Sequence, residues 1–156
     1  MPDEKFMRLA IKVARKGIAA GQTPFGACVV KDGRQISTAY NRVWENTDIT
    51  AHAEILAIRD ACARLGTIDL SNCVLYSTCE PCPMCFSACH WARISKIVYG
   101  AGIADARIFG FSELEISNAH MKQASGSAIE IVGGLLKDKC LALFAEWSER
   151  KDRRAY

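Results

Sequence analysis

The chain has 156 residues, half of them hydrophobic and 24% charged, with a formal net charge of +3. This balance suits one globular domain over residues 1–156 and excludes a disordered segment or a disulfide-dependent miniature. No apolar run reaches the roughly 20 residues needed to cross a bilayer, so no membrane partner is expected. The charge is too small to demand nucleic acid, although the tail SERKDRRAY is locally basic.

The opening stretch MPDEKFMRLAIKVARKGIAAG begins with acids, and its apolar residues are periodic rather than contiguous, unlike a secretory signal. Phe6, Leu9, Ala10, Val13 and Ala14 share one helical face, and Lys5, Arg8, Lys12 and Arg15 lie off it. Eight cysteines without a signal segment point to the reducing cytoplasm, where cysteine serves as packing, metal ligand or catalytic group.

GACVVKDGRQISTAYN reads as two short strands around a Lys31–Arg34 turn, because Asp-Gly is a strong hairpin signal. DITAHAEILAIRDACARLG reads as a helix capped by Thr50 and ended by Gly66, with Ile55, Ile58, Ala61, Cys62 and Leu65 as its buried stripe. CVLYST is a short buried strand, MCFSACHWARI is helical and KIVYGA is another strand. Residues 102–127 suggest short helix or loop. AIEIVGG is a last strand, and LLKDKCLALFAEWSERKDRR is a terminal helix. Strands alternating with helices predict an α/β sandwich, a mixed sheet with helices on both faces.

Residues 71–94 hold five of the eight cysteines. Cys79, Cys82, Cys85 and Cys89 run C-x2-C-x2-C-x3-C, the spacing of an iron–sulfur ligand run. That run is normally followed by proline, whereas His90 follows here, and a helix over 82–92 turns Cys89 into the packing. Cys82 and Cys85 alone could also form a redox pair at a helix start. Such a pair leaves His52 and Glu54 unexplained. His52, Cys82 and Cys85 all fall at helix starts, where partial positive charge favours thiolate over thiol. Three ligands leave zinc a fourth position for water, the mark of a catalytic site. His-x-Glu followed by Pro-Cys-x-x-Cys is the signature of zinc-dependent base deaminases, in which the glutamate is the general acid and base and not a ligand.

TAHAEILAIRDA and CEPCPMC resemble the cytidine-deaminase-like superfamily, and the likeness runs from TPFGACVVKDG to KIVYGA. Ile49 departs from it, standing where many members have proline. The resemblance implies a three-layer α/β/α sandwich around a five-stranded mixed sheet, one Zn2+ per subunit on His52, Cys82 and Cys85, catalysis by Glu54, and a homodimer. Within the superfamily the wording is similar to the guanine deaminase branch. That branch implies base contacts from Asn41, the Ala53 N–H, Phe25, Trp91 and Glu113, where Asp is common. It also implies a C-terminal Tyr156 that closes a site, with tails exchanged between subunits. The expected reaction is hydrolysis of guanine, guanosine or a related aminopurine, with a free nucleobase or nucleoside as partner. Deamination of tRNA adenosine, deamination of cytosine or cytidine, and a non-enzymatic zinc or redox module remain alternatives.

Overall fold

A computed structural model describes residues 1–156. Its centre is a five-stranded sheet in the order β2-β1-β3-β4-β5. The strands are β1 (Gly26–Lys31), β2 (Arg34–Tyr40), β3 (Cys73–Cys79), β4 (Lys96–Ala101) and β5 (Glu130–Val132). β1 runs antiparallel to both β2 and β3, and β3, β4 and β5 are parallel. The β1–β2 hairpin turns at Asp32 (φ 49°) and Gly33 (φ 69°), both left-handed, as a two-residue turn matched to strand twist requires.

The helices are α1 (Glu4–Ala19), α2 (Val43–Asn46), α3 (Ala53–Leu65), α4 (Pro83–Trp91), α5 (Ile103–Ile108), α6 (Asn118–Ser125) and α7 (Lys137–Ser148). α1 and α7 pack together on one face of the sheet; α3 and α4 pack together on the other. Two glycines let the first layer sit close. A Cβ on Gly26 would run into the backbone of Ala10 on α1, and one on Gly100 would meet the Cys140 sulfur on α7. The buried face of α1 is Phe6, Met7, Ala10, Ile11, Ala14 and Ile18, so Leu9 and Val13 stand at its rim.

Several boundaries differ from the sequence expectation. His52, and not Thr50, occupies the N-cap of α3. The Thr50 hydroxyl instead donates to Asp48 Oδ1 at 2.6 Å, and the Thr50 N–H donates to the same oxygen at 2.9 Å. This local turn outcompetes capping because aspartate two residues upstream offers a nearer acceptor. The buried stripe of α3 is Ala53, Glu54, Ala57, Ile58 and Ala61, while Ile55, Cys62 and Leu65 are half-buried. Residues 102–127 contain two short helices, α5 and α6, joined by an irregular segment over 109–117. The terminal helix stops at Ser148, and the last residues continue through turns into an irregular tail.

An aromatic cluster fixes that end of the fold. Phe144 on α7 stacks on Phe109 with centroids 4.9 Å apart and meets Phe25 edge-on at 5.6 Å. Phe111 contacts Phe25 at 5.0 Å, Trp147 at 5.1 Å and Tyr156 at 5.5 Å. Burial of these rings ties the 109–113 segment and the C-terminal residue to the core.

Candidate active site

The start of α3 meets the start of α4 beside the end of β3. His52 is the N-cap of α3, Cys82 is the N-cap of α4, and Pro83 opens α4 with its missing N–H where none is needed. His52 Nδ1 lies 3.6 Å from Cys82 Sγ and 3.5 Å from Cys85 Sγ. With Zn–S near 2.3 Å and Zn–N near 2.0 Å, a tetrahedral N···S edge is about 3.5 Å. Both N···S distances therefore already stand at the spacing of a zinc tetrahedron, and the three donor atoms, all within 4.8 Å of one another, form a candidate metal cluster.

The electrostatics favour a cation. In the metal-free protein the Cys85 thiol donates to Cys82 and holds it down at about 4; burial opposes this, and His52 adds to it. Cys85 is raised in turn as the donor of that bond and by burial. Burial works against a charged His52, but its bond to Cys82 and the nearby Glu54 outweigh this and raise it. The Cys82 thiolate thus stands beside an imidazole and a thiol that both hold their protons more tightly than usual, and a metal would displace those protons.

The other two cysteines of the run are not part of this cluster. Cys89 is fully buried in the core, and Cys79 turns its thiol toward the Gly102 carbonyl at 3.6 Å. An iron–sulfur ligand set is not assembled.

Glu54 follows His52 by two residues, on the face of α3 that meets the sheet. It is 6% exposed, and the Ser77 hydroxyl donates to its Oε1 at 3.4 Å. Burial raises its pKa, the Cys82 thiolate adds to that, and His52 opposes it. A buried carboxyl that holds its proton more tightly than usual suits proton transfer.

Phe25, Asn41, Cys79, Glu80, Glu113 and Tyr156 join these groups around an inner cavity of about 10 Å³. Asn41 is 1% exposed; its Oδ1 accepts from the Val43 N–H at 3.0 Å, and its Nδ2 donates to the Tyr156 hydroxyl at 2.6 Å. Ala53 is fully buried as the first residue of α3. Glu113 is pushed up to about 7 by burial and by the charges of Cys82 and Glu54, with His52 opposing. Phe25 serves both as core and as cavity wall.

Outside Tyr156 and Glu113 lies a more open pocket of about 250 Å³, bordered by Ile49, Met84 and Leu114. The inner space holds about one water, and the Asn41–Tyr156 bond lies at its wall. The tail lies over its own chain's site: the Ser112 N–H donates to the Tyr156 carbonyl at 3.0 Å, and the Trp44 indole N–H donates to the Arg154 carbonyl at 3.0 Å. The Arg154 guanidinium rests 4.3 Å from the Trp44 ring centroid.

Trp91 is not brought to the cavity by its own chain. It ends α4, is 82% exposed and borders neither cavity. α4 begins at the site, and nine residues at about 1.5 Å each carry its last residue well away. Sequence reasoning missed Glu80 as a cavity residue, although it stands between Cys79 and Cys82 in the quoted motif. It also missed Trp44, on a four-residue helix with no periodicity to mark it.

The model of the cytidine and deoxycytidylate deaminase zinc-binding region matches residues 1–101. The guanine deaminase of Bacillus subtilis is 40% identical over 157 aligned residues, covering 100% of both chains. The tRNA-specific adenosine deaminase of Aquifex aeolicus is 46% identical over 101 residues, covering 65% of this chain and 67% of its own. A solved guanine deaminase from Nitrosomonas europaea superposes with a TM-score of 0.87 at 34% identity, over 96% of this chain and 86% of that one. The fold and the His–Cys–Cys cluster define a zinc-dependent deaminase. The chain belongs to the cytidine and deoxycytidylate deaminase zinc-binding family.

Proposed function

We propose that this protein hydrolyses guanine to xanthine and ammonia, with one water consumed. The observation that carries the reading is the second carboxylate, Glu113, lining the same cavity as Glu54 and Asn41. Guanine offers a ring N–H and an amino group side by side. A carboxylate accepts from both, whereas the unprotonated ring nitrogen of adenine or cytosine would face it acceptor to acceptor. A site built to satisfy such hydrogen bonds rejects analogues that lack them by large factors. The full-length likeness to the Bacillus subtilis guanine deaminase supports the same substrate.

His52, Cys82 and Cys85 would hold zinc. When bound, the metal supplies Lewis acidity that lets a water ionise near neutral pH. Glu54 takes a proton from that water and delivers it to the ring nitrogen beside the amino-bearing carbon. It then takes the remaining hydroxyl proton and delivers it to the departing amino group, which leaves as ammonia. Asn41 and the Ala53 N–H hold the base in plane, Phe25 backs one side, and Glu113 fixes the N–H edge. Tyr156 swings from Asn41 to admit the base and closes again to exclude water.

Deamination of tRNA adenosine is the second reading, favoured by the identity to the Aquifex aeolicus enzyme. Against it, two of the tail's basic groups are engaged internally: Arg150 pairs with Asp152 at 2.9 Å, and Arg154 lies on Trp44. We further infer a homodimer, supported by Met84 and Trp91, which α4 leaves exposed. Incubation with guanine, guanosine, adenine, cytosine, cytidine and tRNA, with ammonia release as readout, tests the substrate. Xanthine from guanine is expected; inert guanine with inosine formed in tRNA would overturn the reading.

A further inference from the structure

Glu80 follows the last residue of β3 and is 9% exposed. Its two oxygens accept from two separate backbone groups. Oε1 accepts from the Asn118 N–H at 2.8 Å, and Oε2 from the Ile103 N–H at 3.2 Å. These are the first residues of α6 and α5, where N–H groups lack helical partners and a carboxylate is stabilising. Asn118, fully buried, donates from Nδ2 to the Pro81 carbonyl at 2.6 Å, one residue from the ligand Cys82. The two helices that frame the irregular 109–117 segment are thus tied to one side chain and to the metal-ligand loop.

Glu113 stands in that segment. Its side chain forms no hydrogen bond or ion pair, so its place in the cavity is set by the anchors of its segment: Phe111 in the aromatic cluster and the Ser112–Tyr156 bond on one side, and the start of α6, held by Glu80, on the other. We propose that Glu80 is a positioning residue for base recognition: its carboxylate, bridging the Ile103 and Asn118 N–H groups, sets the reach of Glu113 into the site. This rests on the reading of Glu113 as acceptor for the guanine N–H edge. Glu80 acts through Glu113 and takes no part in proton transfer.

Glu80→Gln keeps the shape but turns one acceptor into an NH2 that faces an N–H donor. Loss of one hydrogen bond to a charged acceptor corresponds to about tenfold. The expected result is a KM for guanine raised about tenfold, with kcat within about threefold and zinc per chain unchanged. Backbone hydrogen exchange over 109–117 should quicken by a similar factor, with β1 and β3 unaffected. In a Glu113→Gln background, Glu80→Gln should change kcat/KM by less than about twofold, because the residue it positions has already lost its function.

Wild-type KM and wild-type exchange in Glu80→Gln would overturn the proposal. So would loss of kcat and zinc in parallel, or effects that multiply in the double variant. If Glu113→Gln alone leaves KM unchanged, the reading of Glu113 fails, and exchange over 109–117 in Glu80→Gln still decides whether Glu80 holds the segment. Should Glu80→Gln not accumulate as folded protein, Glu80→Asp keeps the charge but reaches one N–H, and the same two measurements decide.

Discussion

Replacing Glu54 by glutamine tests the chemistry while leaving the scaffold intact. The side chain is 6% exposed, and its one side-chain partner is the Ser77 hydroxyl at 3.4 Å, which an amide oxygen can equally receive. Its burial, opposed by His52, already disfavours the charged form, so removing the charge relieves a cost and the melting temperature should hold or rise. What is lost is the group proposed to move the proton. General acid–base catalysis is worth 10² to 10⁴ in rate, or about 3–5 kcal/mol of barrier. Glu113 borders the same cavity but is anchored in another segment. It cannot take over both transfers, so the loss should be at least about 10²-fold in kcat. The assay is xanthine formation followed by absorbance, with zinc measured on the same sample. More than a tenth of wild-type kcat at full zinc content would refute the proton-transfer role. Loss of zinc in proportion to activity would make Glu54 a ligand instead.

Tyr156→Phe removes the 2.6 Å bond from Asn41, worth about 1 kcal/mol, so exchange at the Ser112 amide, which bonds the Tyr156 carbonyl, should rise about fivefold; no change would mean that the tail is held elsewhere. Phe144→Ala empties the centre of the aromatic cluster and should cost about 3–5 kcal/mol in denaturant unfolding, since Phe144 is 1% exposed among Phe25, Phe109 and Phe111. Glu113, raised from its usual 4.5 to about 7, binds a proton more tightly folded than unfolded. Its contribution to the stability of the zinc-free protein is therefore full below about 4.5 and lost as pH rises through 7. Glu113→Gln should flatten that part of the stability–pH curve relative to wild type, and parallel curves would contradict it.

Much of this was legible in the chain because short-range rules set it. The Asp32-Gly33 turn fixes the β1–β2 hairpin, and Pro83 with the Cys82–Cys85 spacing fixes the start of α4 and the direction of two thiols. His-x-Glu is informative because N-cap and first-turn residues point to different sides, His52 to the sulfurs and Glu54 to Ser77. The less readable parts depend on contacts distant in sequence. Glu80 meets residues 23 and 38 positions away, and Trp44 meets the tail 110 positions away, so neither leaves a local pattern. Trp91 shows the converse: a motif beside the ligands does not fix where its last residue lies, and the length of α4 carries Trp91 away from its own chain's cavity. Thr50 was a plausible cap until Asp48 offered its hydroxyl a closer partner.

X-ray absorption at the zinc edge, on protein purified without chelator, tests the central claim most directly. The account predicts one zinc per chain with two sulfurs near 2.3 Å, one imidazole nitrogen near 2.0 Å and one light atom supplied by solvent. Iron with acid-labile sulfide, or zinc ringed by four protein ligands, would contradict it.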